Sequence, residues 1–266
     1  MSVRSLFANI VCGFIPNHKT RSRVRVVLNN PSVHKYVRMV RGWADKNCGG
    51  VRKLKLDFGV GCHNLVVMLN DEHVFKIPLL KRENPGPREK RIVDAMRTVS
   101  PIYFPEMEIM NWDGVLVRRY EFIHGKLLCD FDAKYIVANR AKIAHQLAKF
   151  MYEIGRVDFE EIRDLKPDAD AKPDYMYGWF HNDIGQNFLM DDELNIVGFI
   201  DAEKAAFCDF RTSLTAAEHF WDKHGYRGLM VDLLAEYSKL YYSKPSRKKV
   251  IKLVAVPTGL EPVLSE

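Results

Sequence analysis

No stretch of this 266-residue chain approaches the roughly eighteen apolar residues that a membrane-spanning helix needs. It also lacks internal repeats and low-complexity tracts, which excludes a solenoid. The five cysteines (Cys12, Cys48, Cys62, Cys129 and Cys208) are odd in number and include no CxxC pair. That usage fits neither a disulfide framework nor a zinc site and points to a reducing, cytoplasmic compartment. No long basic stripe with interleaved aromatics is present, so the excess of forty Lys+Arg over thirty-four Asp+Glu does not indicate nucleic acid. A net charge of +6 fits a phosphate-rich ligand or an anionic surface. With 47% hydrophobic and 28% charged residues, the composition is that of a folded globular chain.

The N-terminal stretch carries a short apolar run, Leu6 to Ile15, between Arg4 and Pro16. His18, Lys19, Arg21, Arg23 and Arg25 follow it, and no small-residue cleavage site does. Two readings stay open: residues 4–25 lie on an anionic membrane, at its inner face, or they form a helix packed on the domain with a solvated basic side. Residues 1–50 read as this basic amphipathic segment, ending in the turn signal Asn47-Cys48-Gly49-Gly50. Residues 51–123 and 124–245 read as two lobes, and 246–266 as a tail.

The first lobe is rich in strands. Lys53 to Phe58, Leu65 to Leu69, His73 to Ile77, Met107 to Met110 and Val115 to Tyr120 all carry strand patterns, with turns at Asn70-Asp71 and Trp112-Asp113-Gly114. A helix is predicted from Arg88 to Val99 after the Pro85-Gly86-Pro87 break. The second lobe opens with an amphipathic helix from Ile136 to Ile154, followed by a polar stretch from Arg156 to Asp174. Two short strands, Phe188 to Met190 and Ile196 to Ile200, precede further helix up to about Tyr242. The result is a two-lobed α+β architecture.

Five features bear on chemistry. The turn Gly59-Val60-Gly61 lies between two strands, where it serves either as a plain turn or as a phosphate loop. Lys76, inside the apolar strand Val74-Phe75-Lys76-Ile77, needs a phosphate or carboxylate partner unless it sits on a wet edge. Glu89 falls in the first turn of the predicted helix. His181-Asn182-Asp183-Ile184-Gly185-Gln186-Asn187 is the fourth feature. Phe199-Ile200-Asp201, eighteen residues beyond Asp183 and followed by Asp209, is the fifth. Two acids and an amide joined by one short hairpin are what Mg²⁺-nucleotide chemistry requires.

Those residues resemble the kinase-like phosphotransferases typified by aminoglycoside phosphotransferases and choline/ethanolamine kinases, from about Leu54 to about Tyr242. The resemblance implies a protein-kinase-like two-lobed α+β fold, with a strand-rich N-lobe that binds nucleotide and a helical C-lobe that carries the catalytic loop. It implies ATP and Mg²⁺, and transfer of the γ-phosphoryl group to a hydroxyl. On the matching positions, Gly59 and Gly61 cover the phosphates, Lys76 grips them and Glu89 is its helix partner. Glu121 and Ile123, in the hinge-like Tyr120-Glu121-Phe122-Ile123-His124-Gly125, offer backbone groups to adenine. Asp183 corresponds to the catalytic aspartate, Asn187 and Asp201 to the metal ligands, and Asp209 to the acid that ties the catalytic loop down. His181 braces that loop rather than acting as an acid or base.

The chain departs from that pattern in three places. Asn187 follows Asp183 by four residues where five is usual, Cys208 replaces a usual Gly, and Ser213 a common Asp. Ile162-Arg163-Asp164-Leu165-Lys166-Pro167-Asp168 imitates the protein-kinase loop H-R-D-L-K-P-x-N, but it lacks the His and the Asn, and Asp164 lies thirty-seven residues before Asp201. Asp164 is therefore expected to be a loop residue. The expected acceptor is a small molecule or glycan, and the acids of 156–174 either line a wall suited to a cationic acceptor or belong to a solvated loop. The opening Asn9 to Lys19 resembles that of bacterial surface-polysaccharide glycosyltransferases and tilts the reading towards a cell-envelope sugar in a bacterium. A compact serine/threonine protein kinase and a nucleotide-binding pseudokinase module are the alternatives. ATP and GTP are not distinguished.

Overall fold

The computed structural model describes residues 31–58, 64–79 and 85–242, together with Cys12, Phe14, Pro16, Thr20, Arg21, Val24 and Leu28. Gly59 and Gly61, most of the basic segment 4–25 and the tail 246–266 lie outside the described residues.

Helix α1 (Pro31–Asn47) leads into an antiparallel sheet of β1 (Leu54–Phe58), β2 (Asn64–Leu69) and β3 (His73–Pro78). Helix α2 (Gly86–Arg97) then interrupts the sheet before β4 (Glu108–Trp112) and β5 (Val115–Glu121) complete it in the order β1-β2-β3-β5-β4. The turns follow their residues. Asn70 and Asp71 take φ of 57° and 55°, and Asp113-Gly114 take 50° and 82°, the left-handed pairs that tight hairpins need.

Strand alternation divides the sheet into two faces. Leu65, Val67, Leu69, Phe75, Ile77 and Val117 form one core with Val33, Tyr36, Val40 and Ala44 of α1. Trp43 of α1 meets Phe75 edge-on at 5.1 Å, and Arg119 lies 5.3 Å over the Trp43 ring. The stretch 31–47 of the N-terminal segment is thus packed into the first lobe. Lys76, in register with both Val66 and Arg118, takes the opposite face, which looks into the cleft. Because β3 is a central strand, Lys76 is only 4% exposed and is not a wet-edge lysine.

The larger core belongs to the second lobe, and α2 joins it through Ile92, Val93, Ala95 and Met96. The predicted helix at Ile136–Ile154 is divided into α3 (Ala133–Ala138) and α4 (Arg140–Gly155). The break is at Asn139, whose backbone (φ −112°, ψ 14°) leaves the helical region while its side chain bonds the Tyr135 carbonyl. Short strand β6 (Lys126–Leu127) pairs with β8 (Phe188–Met190), which pairs with β9 (Ile196–Phe199). A separate ladder joins β7 (Tyr177–Phe180) to β10 (Ala206–Asp209), and helices α5 (Phe210–Lys223) and α6 (Leu229–Tyr242) close the lobe. This is the two-lobed α+β arrangement predicted from the sequence. No helix among the described residues is long and apolar enough to cross a membrane.

Candidate active site

The two strand ladders fix the site. The loop 181–187 runs from β7 to β8, and the loop 200–205 runs from β9 to β10. Since β7 pairs with β10 and β8 with β9, the two loops lie side by side. His181 Nε2 donates to the Ile200 carbonyl at 3.0 Å, and Ile200 N–H to the Asn187 carbonyl at 2.9 Å. Asn182 Nδ2 donates to the Lys204 carbonyl at 3.1 Å, and Cys208 Sγ to Asn182 Oδ1 at 3.2 Å. Asn182 and Asp201 both take left-handed backbone (φ 59° and 58°), a conformation that costs a non-glycine residue energy and gathers at functional sites.

His181 fits the bracing role. It is buried beside Phe104 and Phe199, with ring centroids at 6.2 and 5.2 Å, and burial pushes its pKa below the ordinary value of 6.5. Its Nδ1 is buried with no hydrogen-bond partner among the described residues, so the neutral ring with the proton on Nε2 satisfies Ile200.

Across the cleft, Lys76 Nζ bonds Asp201 Oδ1 and, at 3.0 Å, Glu203 Oε2. Burial works to lower its pKa, but the Glu89 and Asp201 carboxylates outweigh that and hold the ammonium charged. Here the expected pairing is corrected. Glu89, in the first turn of α2, does not bond Lys76 but pairs with Arg118, whose Nη1 lies 2.5 Å from Glu89 Oε2. Arg118 is fully buried and also reaches Glu203 Oε2 and Asn64 Oδ1, each at 3.1 Å. The guanidinium reaches the helix carboxylate, and its planar fork serves three acceptors at once. Burial pushes the Glu89 carboxyl up against the pull of Lys76 and Arg118. For Glu203, burial is outweighed by those two cations, and its pKa falls.

Arg118 and Glu203 are charged groups of this cleft that the sequence reading did not single out. The signal was there for Arg118, a charge inside the apolar strand Val115–Tyr120, the argument that singled out Lys76. Nothing in the sequence distinguished Glu203 from a surface turn residue. Behind these groups lies a cavity of about 10 Å³ between Glu89, Val93, Tyr120, Phe199 and Asp201, room for about one water. Burial there pushes the Tyr120 hydroxyl up to about 12.

Asp183 is 13% exposed and accepts from Lys204 Nζ at 2.8 Å. Just after β5, Phe122 N–H bonds the Glu72 carbonyl at 2.8 Å. By the alternation of an antiparallel ladder, the preceding Glu121 backbone turns away from β3, beyond the end of β4.

The Asp209 side chain makes no bond to the 181–187 loop among the described residues. It caps α5 through Arg211 N–H at 2.8 Å and pairs with the Arg211 guanidinium. Four of the seven acids in 156–174 are ion-paired, while Glu161, Asp168 and Asp174 have no ion pair among the described residues. Asp158 is paired with Lys166 and Lys172, Glu160 and Asp170 with Arg163, and Asp164 with Arg91 of α2. Asp164 is thus a surface strut, 63% exposed and separate from the Asp183 loop.

No family model matches the sequence, and no curated protein does. Solved structures do. Aminoglycoside 2'-phosphotransferase-IIIa in its GDP complex aligns at TM-score 0.54 and 15% identity, over 79% of this chain and 90% of that one. The ADP-bound aminoglycoside phosphotransferase APH(2'')-Ib aligns at TM-score 0.50 and 11% identity, over 82% and 93%. The chain has the two-lobed, kinase-like fold of the aminoglycoside phosphotransferases.

Proposed function

We propose that the chain is an ATP-dependent phosphotransferase that moves the γ-phosphoryl group to a hydroxyl of a small molecule or glycan. One observation carries this reading: the loops bearing Asp183, Asn187 and Asp201 are bonded side by side and face Lys76 across the cleft. The fold shared with aminoglycoside phosphotransferases bound to GDP and ADP supports it.

Each group has a task. Lys76 grips the α- and β-phosphates, and the backbone of Glu121 and Ile123 receives the purine. Asp183 orients the acceptor hydroxyl and takes its proton, while the burial of His181 keeps the loop rigid. The lysine ammonium shared by the Asp201 and Glu203 carboxylates supports reading this as a pole suited to a cation. Together with the oxygen donors of Asp201 and Asn187 it fits Mg²⁺, which when bound neutralises phosphate charge. Positioning and charge neutralisation supply most of the rate in such transfers.

The acceptor is proposed as a hydroxyl of a sugar-like small molecule, with cell-envelope sugars first in the series. Between Asp201 and α5 there is only a three-residue turn, Ala202–Lys204, and a four-residue strand, too little for a peptide-docking loop. A pseudokinase module is the remaining reading, and turnover decides it.

Mg²⁺-ATP at about one hundred times its Kd stabilises a folded binder by about 2.7 kcal/mol, a clear thermal shift. GTP belongs in the same assay. Asp183→Ala is expected to abolish turnover with nucleotide binding intact, and Asp201→Ala to weaken Mg²⁺-dependent binding as well. Labelled ATP is then offered with envelope sugars, aminoglycosides, choline, ethanolamine and generic proteins. No shift with either nucleotide, with or without Mg²⁺, overturns the proposal. Labelling of protein alone overturns only the acceptor class.

A further inference from the structure

We infer that Lys204 is a catalytic residue of this site: its ammonium neutralises Asp183 and donates to the transferring γ-phosphoryl group. The inference rests on the phosphotransferase reading and adds to it a cation that no motif announced.

Three observations converge. The Lys204 ammonium lies 2.8 Å from Asp183 Oδ2, yet its side chain is 64% exposed, so it can follow a phosphoryl group without leaving water for a dry pocket. Its backbone, in contrast, is pinned. The Lys204 carbonyl accepts from Asn182 Nδ2 at 3.1 Å, the Ala205 N–H bonds the Ala202 carbonyl at 2.9 Å, and the Ala205 carbonyl accepts from Arg88 at 2.9 Å. A fixed base with a mobile tip is a positioned cation, not a wandering surface lysine.

Among the described residues the other cations near this spot are engaged, and Arg88 is held on the Ala205 carbonyl. Lys76 is bound between Asp201 and Glu203, and Arg118 is enclosed by Glu89, Glu203 and Asn64. The loop His181–Asn187 contains no lysine or arginine, and burial disfavours a charged His181. Gly185, two residues beyond Asp183, has no room for any side chain, since a Cβ there would come within 2.9 Å of Ala217 Cα on α5. The neighbouring loop therefore supplies the charge that the catalytic loop cannot carry.

In the transfer, the bond from the γ-phosphorus to the β–γ bridging oxygen breaks and its electron pair leaves with ADP. The acceptor oxygen forms the new P–O bond, and its proton passes to the Asp183 carboxylate. Lys204 keeps its protons throughout and donates to a non-bridging oxygen, where charge is concentrated in the transition state.

The test compares Lys204→Met and Lys204→Arg with the parent in affinity for Mg²⁺-ATP and Mg²⁺-ADP and in turnover of ATP, with water or an identified acceptor. Only ATP carries the group that Lys204 touches. Lys204→Met is therefore expected to weaken ATP binding by about tenfold and leave ADP binding within about twofold. Turnover is expected to fall by about a hundredfold, the cost of losing one preorganised donor, with partial recovery in Lys204→Arg. Unchanged melting without nucleotide controls for folding. If the parent binds ATP and Lys204→Met keeps both the ATP/ADP preference and turnover within about threefold, the inference is wrong and Lys204 is only an ion-pair partner. If the parent binds neither nucleotide, the phosphotransferase reading falls, and this inference with it.

Discussion

Arg118→Met tests the charge network that replaces the expected Lys76–Glu89 pair. The substitution removes a fully buried guanidinium bonded to Glu89 at 2.5 Å, to Glu203 at 3.1 Å and to Asn64 at 3.1 Å. Methionine keeps much of the volume, so the loss is mainly electrostatic. Removing one partner of a buried pair costs about 3–5 kcal/mol, because the remaining charge is left uncompensated. Lys76 still acts on Glu89, which favours the lower end, about 3 kcal/mol. For a chain of this size that is a fall in Tm of about 6–12 °C, read by thermal and urea unfolding.

The loss also has a pH signature. Burial already pushes Glu89 up, and without Arg118 it rises further. A carboxyl with a folded-state pKa above its unfolded one makes the folded chain bind the extra proton between those values. Stability is therefore highest below the unfolded value and is lost as pH rises through the folded one. The deficit of Arg118→Met is expected to be larger at about pH 8 than at about pH 5.5, and smaller once Glu89→Gln is added. A deficit under about 1 kcal/mol, indifferent to pH and to Glu89→Gln, would refute the reasoning.

The parent itself should lose stability as pH falls below about 6.5, because the unfolded chain binds a proton that buried His181 refuses; His181→Gln should flatten that slope in urea unfolding at stepped pH. Gly178→Ala should destabilise by about 2–3 kcal/mol in the same assay, since its Cβ would fall 2.1 Å from the Gly155 carbonyl oxygen and backbone must move. Gly198→Ala should cost less, because its nearest contact, at 2.7 Å, is the movable end of Ile123. Asp164→Ala, at an exposed pair with Arg91, should leave turnover near the parent level, and a loss as deep as that of Asp183→Ala would relocate the catalytic loop.

The sequence by itself determined the elements whose signals are local. Alternation in Lys53–Phe58 and the runs Leu65–Leu69 and His73–Ile77 marked the strands, Asp113-Gly114 marked a tight turn, and the hairpin length between Asp183 and Asp201 required two loops to meet. It also identified Lys76, because a charge in an apolar strand announces its need for a partner. Which partner it takes was not local information. Lys76 and Arg118 face the same side of neighbouring strands, and only the docking of α2 against that face decides which cation reaches Glu89. The contacts of Asp209 and of Asp164 were equally hidden, since a helix cap and a surface ion pair to another element depend on what folding brings within bonding reach. Lys204 is the clearest case. In the chain it is one surface lysine among many, and it acquires a place beside Asp183 only because β7 pairs with β10 and lays the two loops together.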